Sequence, residues 1–148
     1  MSIVVMDRLV EKIIDVLKDS AVVTKYTGSG ASARIYGSHL STIQDWVLPA
    51  VSIHLMPGTR RMTSAGFIDL IELQIDPWMK STGANASVWD DMMECHSAIV
   101  QALHRTGGWD DVIGLKLISL TMVSKGPIIQ DEDGIMHYPS RWQARATI

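Results

Sequence analysis

Hydrophobic and polar positions alternate most clearly from Gly66 to Asp76. Phe67, Ile71, Leu73 and Ile75 fall on one side of an extended chain and Glu72, Gln74 and Asp76 on the other, the period of a half-buried strand. Pro77 biases its predecessor away from helix and offers no N–H, so the strand is expected to end there. Ile68 and Leu70 break the alternation by placing apolar side chains on the otherwise polar side. An apolar patch on the outside of a strand implies another layer or another subunit.

Upstream, Met6, Leu9, Val10, Ile13, Ile14 and Leu17 recur at helical spacing, with Arg8, Glu11, Lys12, Asp15 and Lys18 opposite them. The spacing predicts an amphipathic helix from about Val4 to Asp19, followed by a helical turn over Ala21–Tyr26. Gly28–Ser32 reads as a flexible connector and Arg34–Tyr36 as a short strand. A second strand runs from Leu48 to Met56, with Val51, Ile53 and Leu55 on one side and Ser52 and His54 on the other. Pro49 suits a strand's first residues. Thr59–Gly66 then forms the long tip of an antiparallel hairpin joining this strand to the Gly66–Asp76 strand.

After a polar loop over Lys80–Ala86, Ser87 and Asp90 resemble a capping box, and Asp90 and Asp91 favour the positive end of a helix dipole. Val88, Met92, Cys95, Ile99, Ala102 and Leu103 make the stripe of a helix from about Val88 to Arg105, with Gly107 as its C-cap. A strand over Ile113–Lys125, a turn at Gly126–Pro127, the acidic loop Asp131–Gly134 and a last alternating strand over Tyr138–Ile148 complete the order. Helices and hairpin-ordered strands in this sequence give an α+β fold as one domain over residues 1–148. The expected form is an antiparallel sheet of four to five strands with two main helices packed on one face.

Composition narrows the function. Among 148 residues, 47% are hydrophobic and 20% charged, an ordinary globular balance that argues against disorder. The net charge of −3 lacks the clustered basic surface of a duplex-binding protein, so no sequence-specific nucleic-acid partner is expected. Cys95 is the only cysteine, which excludes an intrachain disulfide and a thiolate cluster. No apolar run reaches membrane-span length, and Met1–Val5 does not open like a signal peptide.

The candidate chemistry is thin. Asp90–His96 is the one stretch that could suggest a metal site, but Glu94 and His96 do not face each other on a helix and no HExxH occurs. A capped helix start with a solvated acidic face accounts for it more simply. Gly28–Ser29–Gly30 lacks the remaining residues of a phosphate or dinucleotide loop, and there is no GxSxG elbow. The five histidines are scattered. His54 reads as surface or interface, Trp142 as core and Arg60–Arg61 as a solvated turn or a docking contact. No catalytic residue, cofactor or metal is expected.

The N-terminal helix, the Pro-led strand Leu48–Ile53, the strand ending Gln74–Trp78, the helix Met93–Leu103 and the Asp131–Gly134 entry to the final strand together resemble the tail terminator (tail completion) proteins of long-tailed bacteriophages. The resemblance spans nearly the whole chain, through element order and short phrases. It implies a structural virion protein that forms a hexameric ring, caps the tail tube, stops its elongation and presents the surface that joins the head. The implied partners are other copies of the chain, the tail tube protein and a head–tail connector protein, with DNA passing through the ring. Assembly would take place in the host cytoplasm. Arg60, Arg61 and Met62 at the hairpin tip, with Ile68 and Leu70, are the candidate interface residues. A head-side connector adaptor or stopper is the alternative, and a small enzyme using Asp90–His96 a more distant one.

Overall fold

The computed structural model describes residues 3–37, 47–56, 60–63, 66–80, 87–104, 116–131 and 133–147. The expected Gly107 cap, the start of the Ile113 strand and the loop over residues 81–86 lie outside them. Helix α1 spans Ile3–Lys18 and buries Leu9, Val10, Ile13 and Leu17, the stripe its spacing predicts. Helix α2, Ala21–Thr27, is a full helix and not a single turn, because Ser20 caps it: the Val23 N–H donates to Ser20 Oγ at 3.3 Å. It stops at Gly28, whose φ of 81° a side chain would resist.

Strands β1 (Ile35–Tyr36) and β2 (Ala50–Met56) pair in parallel, and β2 pairs antiparallel with β4 (Gly66–Lys80). Strand β3, Arg60–Thr63, folds back onto the start of β4. Helix α3 covers Ser87–Leu103. Strands β5 (Lys116–Lys125), β6 (Ile129–Gln130), β7 (Ile135–His137) and β8 (Ser140–Thr147) follow. The fold is α+β, as expected, but among the described residues the sheet has eight strands and one parallel pair where a purely antiparallel sheet of four to five was expected. The short strand expected over Arg34–Tyr36 is β1, and the additional strands β3, β6 and β7 are two to four residues long, too short to display a period.

The central strand β4 runs through Pro77 instead of ending there. Val51, its partner on the β2 side, directs its N–H to Arg34 O at 2.9 Å, so this pair exchanges no ladder bond. On the other side Pro77 faces the gap between β7 and β8, where its carbonyl accepts the Tyr138 N–H at 3.2 Å. The missing proline N–H therefore removes no ladder bond.

The main core lies between the helices and one face of the sheet. Leu9, Ile13 and Leu17 of α1 and Met92, Cys95, Ile99 and Leu103 of α3 meet Ile53, Leu73, Ile75, Leu120 and Trp142 in one cluster. Trp142 is fully buried, and its Nε1–H donates to Ser140 Oγ at 2.8 Å while Ser140 Oγ donates to Ile75 O at 2.8 Å. A smaller cluster of Ala50 and Trp78, flanked by Tyr36, Leu48 and Ile135, sits on the opposite face.

Candidate assembly surfaces

The outer face of the sheet follows from register, since directly opposed residues share a face. With Ile71, Leu73 and Ile75 against the helices, the alternate residues Leu70, Glu72, Gln74 and Asp76 of β4 turn outward. Leu70 stands opposite Arg145, Glu72 opposite Gln143 and Gln74 opposite Arg141. Leu70 is half-buried, while Arg141 and Arg145 are exposed. The Leu70 end of this face is thus an open surface that mixes aliphatic and guanidinium groups.

The other end is closed by polar bonds. Asp76 is fully buried; its Oδ2 accepts from Gln74 Nε2 at 3.0 Å and lies 2.9 Å from His137 Nδ1. His137 stacks on Trp78 with ring centroids 4.2 Å apart, and the Trp78 Nε1–H donates to Ser52 Oγ at 2.8 Å. Asp76 Oδ1 takes no hydrogen bond among the described residues. The sequence reading missed this network, since it joins residues 61 positions apart. The adjacency of Asp76 to Pro77 and Trp78 was visible, but His137 carried no signal.

The expected interface residues divide between two neighbouring strands. Arg60, Arg61 and Met62 lie in β3, paired with Asp69, Ile68 and Phe67, so the reading of this segment as an irregular tip is corrected: backbone pairing to β4 orders it. Ile68 sits between two strands, opposite Arg61 on one side and Thr147 on the other. Leu70 is one step further along β4.

The residues of Asp90–His96 take separate tasks. Tyr26 Oη lies 2.7 Å from Glu94 Oε1 and 3.2 Å from Asp91 Oδ1, and Lys25 Nζ donates to Glu94 at 2.9 Å, so these two carboxylates tie α2 to α3. The hydrogen bonds from Lys25 and Tyr26 hold Glu94 below its usual range. Burial, reinforced by the neighbouring carboxylates, pushes the Tyr26 hydroxyl up. Cys95 is buried in the core, where desolvation pushes its thiol up to about 12 and leaves it inert. His96 is buried with its ring stacked on Tyr138 at 4.2 Å, and burial lowers its pKa. Among the described residues no three His, Cys, Asp or Glu side chains are grouped to hold a metal ion.

A shallow pocket of about 170 Å³, lined by Tyr26, Leu48, Pro49, Met79, Lys80, Val88 and Asp91, lies beside this junction. It is smaller than the roughly 300 Å³ at which small-molecule sites begin. The outward face of α3 carries two large apolar side chains one turn apart, Trp89 at 45% and Met93 at 44% exposure. The features presented to solvent are thus broad surfaces: the open end of the sheet and one side of a helix. No helix of the described residues is long and apolar enough to cross a membrane.

These layers define an α+β sandwich, helices on one side of a mixed sheet. No known family's sequence pattern matches the chain, and no curated protein matches it. A solved chain described as "Virion of native gene transfer agent (GTA) particle" has a similar fold, with a TM-score of 0.67 over 98% of this chain and 98% of that one at 14% identity.

Proposed function

We propose that the chain is a structural virion protein of a phage-like particle, and that it forms a hexameric ring that caps the tail tube and presents the head-joining surface. The observation that carries this reading is the end-to-end likeness of fold to a chain of a gene transfer agent virion, with nothing large left over on either chain. The element order and short phrases that resemble tail terminators support the same role. So does the arrangement of side chains, in which Asp91 and Glu94 of α3 are engaged in tying it to α2 and the open end of the sheet and one side of α3 are exposed surfaces. Its partners are then other copies of itself, the tail tube protein and a head–tail connector protein, with DNA passing through the ring.

Arg60, Arg61, Met62, Ile68 and Leu70 are proposed contacts to neighbouring rings or copies, now as part of a paired β3–β4 hairpin. A paired hairpin presents such residues with less ordering cost than a loose tip. The test is to add purified protein to polymerising tail tube protein and measure tube length and end decoration by electron microscopy. Capped, shortened tubes are expected, with weaker head joining for the Arg60→Glu/Arg61→Glu double variant. Binding to the portal end of heads and not to tube ends would assign the chain to the head side. Binding to neither would overturn the proposal.

A further inference from the structure

Two exposed surfaces of this chain differ in charge in a complementary way. Helix α3 carries Asp90, Asp91 and Glu94 and no lysine or arginine, and it exposes Trp89 and Met93 beside Asp90. Strands β5 and β8 carry Lys116, Lys125, Arg141 and Arg145 and no acidic residue. On the outer face of the sheet, exposed Arg145 stands opposite half-buried Leu70 and exposed Arg141 opposite Gln74 further along β4, with half-buried Glu72 between the two arginine positions. One surface therefore offers apolar knobs beside an acid, and the other an aliphatic spot beside a guanidinium group, with a second guanidinium further along the same face. The first belongs to the helical layer and the second to the side of the sheet that the helices leave open.

We propose that these surfaces are the two halves of the joint between neighbouring copies: Trp89 and Met93 of one copy pack over Leu70 of the next, and Asp90 faces Arg145 or Arg141. The joint rests on the ring reading and specifies where its subunits meet. Two different patches on opposite layers make a head-to-tail contact, which propagates from copy to copy until its rotation closes. A large aromatic anchor beside an arginine is also the chemistry in which binding energy concentrates at interfaces. Opposed charges add orientation, and their contribution weakens as salt rises.

The experiment uses two variants of the full chain and sedimentation velocity. Trp89→Ala/Met93→Ser disables the helical half, and Arg141→Glu/Arg145→Glu disables the sheet half. The substituted side chains are exposed, so far-UV circular dichroism should match the parent in both; Asp90→Lys is a milder substitute for the first. Each variant alone should need at least about tenfold more protein to assemble. Mixed together, they should form a heterodimer and nothing larger, because one intact joint remains per pair. Variants that assemble like the parent, or a mixture that stays monomeric, overturn the joint and leave the ring reading standing. Variants that assemble normally but no longer bind tube ends give these surfaces to the tube protein and also overturn the joint. A parent chain that stays monomeric with and without tube protein overturns the ring itself.

Discussion

The two faces of the sheet are made by the same strands and are closed by different physics. Toward the helices, β4 contributes Ile71, Leu73 and Ile75, and closure comes from apolar area removed from water. Toward the outside, the next residues along the same strand are Glu72, Gln74 and Asp76, and beside the small apolar cluster of Ala50 and Trp78 that face is closed by hydrogen bonds and one stacked pair of rings. The apolar face tolerates imprecise partners as long as volume is kept. The polar closure is directional, and a lost partner leaves a buried charge behind. Where neither closure operates, around Leu70, the sheet remains open.

The sharpest break of this contrast is Trp142→Ala. It removes the largest fully buried side chain and one of the two hydrogen bonds of Ser140, so a loss of roughly 3–5 kcal/mol is expected in urea unfolding. A loss under about 1 kcal/mol would mean that the helix-facing core is not continuous. Asp76→Ala should cost less, roughly 3 kcal/mol, by depriving Gln74 and His137 of their acceptor. Pairing it with His137→Ala sharpens the point: the double variant should lose less than the sum, whereas additivity would show that the two groups do not act together.

A smaller effect is read with pH. The unfolded imidazole of His96 takes up its proton near the ordinary value of 6.5, and the buried one does so only at lower pH. The unfolded chain then binds more protons in that interval, so His96 favours folding above pH 6.5 and the benefit is lost as pH falls below it. Tm should decline through this window, and His96→Gln should flatten the decline. An unchanged slope would assign the pH dependence to carboxylates. Smallest of all should be Glu94→Gln, which loosens the exposed tie to Lys25 and Tyr26 and should hardly move Tm.

Periodicity made the helix-facing half of the molecule legible before the structure. Leu9, Val10, Ile13 and Leu17 of α1, Met92, Cys95, Ile99 and Leu103 of α3, and Ile71, Leu73 and Ile75 of β4 face the core as their spacing predicts, because burial of apolar groups leaves a regular trace. Trp142 and Cys95 also fell where they were expected. Pro77 misled, since a proline stops a strand only if its N–H was needed, and whether it was needed depends on the gap between β7 and β8. The pairing of β3 was invisible because Arg60–Thr63 has no alternation of its own and is ordered by β4. The Asp76–His137–Trp78 closure was equally hidden, because a hydrogen bond between distant residues imposes no period. Leu70, singled out together with Ile68, was the exception on that face: its apolar character among polar neighbours was a trace of an open surface.

Strand β8 lies between β4 and β5, bonded along its length to both. In chain order it is made after every other described strand. While the polypeptide leaves the ribosome, β4 and β5 therefore have no common neighbour, and one long margin of β4 stays without a ladder until residues 140–147 emerge. The sheet can close only as a late event, by insertion of a strand into its middle. Until then β4 is a template open to strands of other nascent copies. Prompt insertion of β8 would then protect the newly made chain from such pairing.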